Sequence, residues 1–148
     1  MTSESPLAPE LVLPIEIGGR LLAVDAAAVV EILGARAWIA IPRAPAAIPG
    51  ALAWRGRALA LLDLGPALGL PTLTGSETRT RNLVLRLRDD VVVLGADRVL
   101  EALRPSAPIR PSHAVELDLP RHGELQLGDR LVSVLDLERW VLGLRRST

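Results

Sequence analysis

The stretch IPGALAWRGRALALLDLGPALGL, Ile48 to Leu70, decides the fold. Pro49–Gly50 breaks the preceding chain, and Ala51 to Trp54 then makes a short apolar segment. Arg55–Gly56 interrupts it, and a second apolar segment, Arg57 to Leu62, runs into Asp63–Leu64. The pattern predicts strand, tight turn, strand, then one helical turn. Glycine at 56 suits the bend because it takes positive φ without a Cβ clash. Asp63 is suited to cap the helical turn, since its carboxylate can accept from free amides ahead of it. Pro66 tolerates a first turn, and Gly69 suits the stop. Two buried strands would hold Arg55 at an exposed bend, which makes it the leading candidate for a contact residue.

The outward reading gives more short strands. Leu11–Ile17 and Arg20–Val24 flank Gly18–Gly19, a hairpin signal. Pro14 favours an edge position for the first of them. Asp25 is placed to cap a turn through Ala26 to Ala28. Val29 to Leu33 is apolar around Glu31, and periodicity alone leaves helix and strand open there. Arg36–Ile41 reads as a strand around Trp38, followed by Pro42, Pro45 and Pro49 in a rigid connection. Thr72–Arg81 is polar and charged, an exposed loop. Asn82–Leu87 and Val91–Leu94 make a hairpin around Arg88–Asp90, and Val99–Leu103 a further strand. Arg104–His122 holds four prolines and reads as a long connection. Glu124–Leu127 and Arg130–Leu135 close the strand set. Asp136 then caps a helix with Leu137, Trp140 and Val141 on one face, ending at Gly143.

Two segments recur. LALLDLGPAL (59–68) returns as VSVLDLERWV (132–141), and AVVEIL (28–33) as RVLEAL (98–103). Their near-constant offset predicts two similar halves divided near residue 70, each a small β-barrel. Barrels remove the open edges that many short apolar strands would leave.

Composition narrows the function. The chain has 148 residues, no cysteine, no net charge, and 49% hydrophobic residues. That length buries ~70% of the unfolded surface without staples. Disulfides and thiolate chemistry are excluded. MTSESPLAPE lacks the pattern of a signal peptide, and no apolar run approaches the ~20 residues of a membrane span, so the expected location is cytoplasmic. All 17 basic residues are arginines, scattered, with few aromatics, which disfavours nucleic acid. No GxSxG, lysine, phosphate loop or ordered Ser/His/Asp set supports an enzyme. His113 and His122 stand alone and make a poor metal site. No catalytic residue, cofactor or metal is assigned.

The chain resembles the CheW family, the adaptors of bacterial chemotaxis, over roughly residues 9–143. The resemblance rests on VVEIL (29–33), IPRAPAAIPG (41–50), RGRALALLDL (55–64), LGADRVLEAL (94–103) and GDRLVSVLDLERWV (128–141). It implies a mainly β fold of two SH3-like five-stranded barrels with short helices, forming a single domain after a flexible tail, residues 1–8. It implies a non-enzymatic scaffold that bridges the regulatory domain of a CheA-type histidine kinase to the coiled-coil tips of chemoreceptors, recruited to receptor arrays at the membrane without insertion. Receptor contacts would lie in a groove between the barrels. By position, Val29, Glu31, Gly50, Arg55 and Gly56 match receptor-side or structurally required positions, with Leu83 a weaker match. Trp54 is a further contact candidate. Gly50, Gly56, Asp63 and Asp136 are read as turn and cap residues. The sequence departs from the family at Ala53, Trp54 and Ala60, where a polar residue, a smaller aliphatic and a proline are usual. A divergent module with another partner is the alternative, and a ligand-binding barrel a third reading.

Overall fold

The computed structural model describes residues 8–74, 77–111 and 118–146. Eleven strands form two sheets: β1 (Val12–Ile17), β2 (Arg20–Asp25), β3 (Val29–Leu33), β4 (Ile39–Ala40), β5 (Gly50–Trp54), β6 (Arg57–Leu62), β7 (Arg81–Leu87), β8 (Asp90–Ala96), β9 (Arg98–Val99), β10 (Arg121–Leu127) and β11 (Arg130–Leu135). Among the described residues one α-helix, α1 (Leu137–Arg146), follows, with short 3-10 turns at Ala26–Ala28 and Pro66–Leu68. Sheet A has the order β10-β11-β2-β1-β9, and sheet B the order β3-β7-β8-β6-β5-β4. The fold is thus mainly β with two subdomains; sheet B exceeds five strands only by the two-residue β4 at its edge. No helix among the described residues is long and apolar enough to cross a membrane.

The sequence repeat is visible in the pairing. β6 lies parallel to β8 and β11 lies parallel to β2. β3 pairs antiparallel with β7, and β9 pairs antiparallel with β1. Each LDL segment therefore ends a strand docked in the same way, once per sheet. The sheets do not divide where the repeats do. Sheet B is built from β3 to β8, while sheet A combines β1 and β2 with β9, β10 and β11. The chain crosses between them at Ala26–Ala28 and again at Asp97.

Alternation inside the apolar strands explains why they are apolar throughout. Leu83, Leu85 and Leu87 of β7 and Val92, Leu94 and Ala96 of β8 face a core shared by the two sheets. Leu13, Ile15 and Ile17 of β1 and Leu22 and Val24 of β2 meet them from the other side. The intervening Val84 and Val93 point into sheet B's own core with Leu33, Leu52, Trp54, Leu59 and Leu61. Val12 and Ala23 point into sheet A's core with Leu125, Val132 and Val134. Both faces of the central strands are buried, so period-two polarity disappears. α1 seals one end of the shared core with Leu137, Trp140 and Val141.

Several local expectations change. Val29–Leu33 is a strand, because pairing with β7 decides what periodicity leaves open. The Arg36–Ile41 strand shrinks to β4, since the Trp38 indole turns away to donate to the Glu77 carbonyl at 2.6 Å. Val99–Leu103 shrinks to β9 and a single bridge from Leu103 to Val12. β1 is not an edge strand. Pro14 carries its carbonyl toward the Leu100 amide, and a strand residue's N–H lies on the same side as its carbonyl, so the missing donor falls on the side of the short β9 and not in the β1–β2 ladder. α1 continues past Gly143 to Arg146. Residues 1–7 of the 1–8 tail, and His113 in the proline-rich connection, lie outside the described residues.

Gly50 is required by space. A Cβ there would collide with the Ile39 carbonyl oxygen and the Trp38 ring. Gly50→Ala should destabilise the protein by about 1–2 kcal/mol through overpacking, read as a lower urea midpoint at constant m. An unchanged midpoint would show that β4 moves aside freely.

Candidate functional site

The turn between β5 and β6 builds the leading candidate. Arg55 and Gly56 both have positive φ, 46° and 75°. Two left-handed residues in a two-residue loop match the twist of a hairpin. Glycine takes that geometry freely, whereas arginine gives up about 1 kcal/mol to sit there. Side-chain contacts hold Arg55 in place. Its guanidinium lies over the Trp54 ring, 4.6 Å from the centroid. Its Nη2 is 3.1 Å from Glu31 Oε1, and the Trp54 indole N–H donates to the same oxygen at 3.0 Å. Glu31 sits on β3 and Trp54 on β5, near opposite edges of sheet B. The contact therefore closes the sheet upon itself through side chains.

The Arg55 side chain remains 67% exposed and Glu31 37%. An ion pair so exposed adds well under 1 kcal/mol to stability. Its effect is orientation: a stacked, tethered guanidinium presents its free edge in one direction. Val30 and Ile32 on β3 and Ile39 and Ile41 at β4 are large apolar side chains left exposed on the same barrel.

The other candidate residues occupy different environments. Val29 is half-buried, opposite Leu85, and packs against the shared core. Leu83 has no exposed surface and belongs to that core. No partner can touch it in this fold, because its position on β7 turns it inward. Trp54 is also buried, its ring in sheet B's core, so it bears on a partner only through the Arg55 and Glu31 groups it holds. Asp136 accepts from the Arg139 amide at 3.2 Å at the start of α1.

The inter-barrel groove with Arg55 at its lip resolves into two separate features. A cleft of about 340 Å³ lies between the Ala26–Ala28 crossover, the β7–β8 turn and α1. Ala28, Leu87, Leu135, Leu137, Val141 and Leu142 give it an apolar lining, with charged residues from Asp25, Arg88–Asp90 and Asp136–Arg139 around them. His122 also lines it, its Nε2 4.0 Å from Asp136 Oδ2. Arg55, Glu31 and Trp54 do not line it; β3 connects the two features, leaving the cleft at Ala28 and reaching the arginine corner at Glu31. Among the described residues no cluster of three or more His, Cys, Asp or Glu could hold a metal.

One arginine escaped the sequence reading. Arg79 lies in the polar 72–81 loop, yet its side chain is only 13% exposed. Its Nη2 is 3.2 Å from Asp63 Oδ1 and its Nη1 3.3 Å from Asp97 Oδ1. Asp63 is itself 1% exposed. The N-cap of the 66–68 turn is Gly65, so Asp63 is primarily an ion-pair partner that also accepts the Gly65 amide at 3.1 Å. The one available signal was the pairing of an aspartate after a buried strand with unmatched arginines in the loop.

Glu77, two residues before Arg79, binds back to Thr74. Its Oε1 accepts from the Thr74 amide and hydroxyl, both at 2.8 Å. The Thr74 hydroxyl, then its amide, hold the carboxyl below its ordinary value of 4.5. A lowered carboxyl pKa favours the folded loop above the ordinary value, and the gain disappears as pH falls through the lowered one. The Thr74 amide shift should therefore titrate with a midpoint below 4.5. A midpoint at or above that value would remove the contact.

The sequence matches the CheW-like domain family over residues 11–142. No curated protein sequence matches the chain. Among solved structures it is similar to the scaffolding protein TtCheW from Thermoanaerobacter tengcongensis, with a TM-score of 0.74 and 19% identity, covering 86% of this chain and 89% of that one. At that identity the likeness speaks for the fold. The family match, running from β1 into α1 through both sheets, speaks for descent: the chain belongs to the CheW-like domain family.

Proposed function

We propose that this protein is a chemotaxis coupling adaptor that joins the regulatory domain of a CheA-type histidine kinase to the cytoplasmic tips of chemoreceptors, with no catalytic step of its own. It works in the cytoplasm, gathered into receptor arrays by those contacts. The observation that carries this reading is Arg55. A non-glycine residue in left-handed backbone, stacked on Trp54 and tied to Glu31, is kept at an exposed turn where asparagine or glycine would cost less. Val30 and Ile32, exposed on the same strand as Glu31, add apolar surface suited to the side of a helix. The free edge of the guanidinium can take a carboxylate or the last carbonyls of such a helix.

Scaffold contacts of this kind exchange, so the expected Kd is micromolar, ~−8 kcal/mol. Calorimetric titration of the full chain with a kinase regulatory domain and, separately, with a receptor-tip coiled coil tests the reading. Binding to both supports the bridge. Binding to neither removes it while leaving the fold untouched. A second reading, a divergent module for another partner, draws on Trp54: the indole sets the guanidinium's direction where the family usually has a smaller aliphatic.

A further inference from the structure

The two crossovers between the sheets lie at opposite ends of the seam. The Ala26–Ala28 crossover is at the cleft, and Asp97 is at the other end of β8, roughly 20 Å away at the rise of a strand. At that far end the largely enclosed Arg79, 13% exposed, occupies a slot made for it. A Cβ at Gly65 would lie 2.7 Å from Arg79 Nη2, and one at Gly95 2.7 Å from its Cγ. Arg79 spans Asp63, just after β6 of sheet B, and Asp97. Asp97 Oδ2 in turn accepts the Gly18 amide at 2.7 Å, in the β1–β2 turn of sheet A, and the Asp97 amide donates to the Glu16 carbonyl at 2.8 Å. Leu70, from the same connecting segment, rests on Gly18.

The network is not fully paired. Asp63 Oδ2 and Arg79 Nε are buried with no hydrogen-bond partner among the described residues. A partly satisfied buried network is high in energy and is held by the surrounding packing. Such a contact is better suited to fixing a geometry than to adding stability.

We propose that Arg79 is a positioning residue: by bridging Asp63 to Asp97, and through Asp97 to Gly18, it locks the two barrels at the end of the seam away from the cleft and sets the angle at which they meet. Apolar packing in the shared core is non-directional, whereas the charged contacts at Arg79 fix an angle. Cleft width then follows from the far-end lock, as the mouth of a hinge follows its pin.

The test needs no partner. The described residues contain no cysteine, nor does the rest of the chain, so Ala58→Cys on sheet B and Leu131→Cys on sheet A give two unambiguous spin labels in the full protein. Dipolar spectroscopy reads the distance distribution between the barrels. Arg79→Gln should broaden or shift that distribution and speed exchange of the Gly18 amide about tenfold, while Val84 and Val93 keep their protection. Arg79→Lys should bring both readings back toward the parent. An unchanged distribution in Arg79→Gln overturns the proposal. So does equal loss of protection throughout both barrels, which would make Arg79 an ordinary stabilising contact. If Arg79→Gln does not fold, Asp97→Asn takes its place: Asp97 is 37% exposed, and its loss leaves the Asp63 pair intact. A broadened or shifted distribution in Asp97→Asn supports the lock, and an unchanged one overturns it.

Discussion

Asp63→Ala should lower the unfolding free energy by about 3 kcal/mol, well above the ~1 kcal/mol of a lost helix cap. The reason lies in what the substitution leaves behind. Arg79 stays in its slot, 13% exposed, with Asp97 as its remaining charged partner. Removing one member of a buried pair strands the other charge, which costs far more than the pair contributes to stability. Asp97 is partly in water and offsets a share of that cost, which keeps the figure toward the low end of buried-pair losses. The Gly65 amide also loses its acceptor, a share of about 1 kcal/mol contained in that figure. Asp136→Ala is the natural control: it too ends an LDL strand, but it gives up one capping bond to the Arg139 amide and a 4.0 Å contact with His122, with no buried guanidinium left behind, and should cost about 1 kcal/mol. Urea titrations of both variants, with equal m values, separate the two aspartates. Equal losses would mean that Asp63 is only a cap after all.

That pair of aspartates shows where sequence was sufficient and where it failed. The repeat made the two LDL segments look equivalent, and in strand pairing they are: each ends a strand docked parallel on a neighbour. The arrangement of two small sheets was legible because short apolar runs, turn residues and the repeat agreed with one another. The environments of the aspartates differ because Arg79, 16 residues beyond Asp63, folds back onto it. Nothing local in TLTGSETRTR distinguishes the arginine that turns inward from its neighbours. Leu83 illustrates the same limit from the other side. Apolar character says that it is buried against something, and only the crossover of the chain between sheets says that the something is the shared core. At the candidate site, the turn that exposes Arg55 could be read from Arg55–Gly56 alone. The tether could not, because Glu31 lies 24 residues earlier and meets it only when sheet B closes. The third feature, the cleft at α1, draws its lining from both halves of the chain and leaves no contiguous motif.

Arg55→Ala should leave the melting temperature within about 2 °C of the parent, and yet weaken partner binding about thirtyfold, ~2 kcal/mol. The stability side follows from exposure. The lost pair with Glu31 is mostly in water, and the lost stacking on Trp54 is small at so exposed a site. Removing a β-carbon substituent from a left-handed turn position changes little, since alanine shares the Cβ clash. The binding side follows from orientation. A free arginine would have to be ordered by its partner, whereas this one is already ordered by Trp54 and Glu31, so the partner gains its fork at reduced entropic cost. Glu31→Gln then separates two explanations. If Glu31 serves to aim the guanidinium, Glu31→Gln should weaken binding severalfold and have no effect in the Arg55→Ala background. If Glu31 touches the partner itself, the two losses should add. Calorimetry on the four proteins of this cycle measures the coupling directly, and binding unchanged by Arg55→Ala would remove the corner from the interface altogether. Trp54→Phe completes the dissection, because it keeps a ring face for the guanidinium while deleting the N–H that holds Glu31, and it should reproduce the Glu31→Gln loss and not the larger Arg55→Ala one.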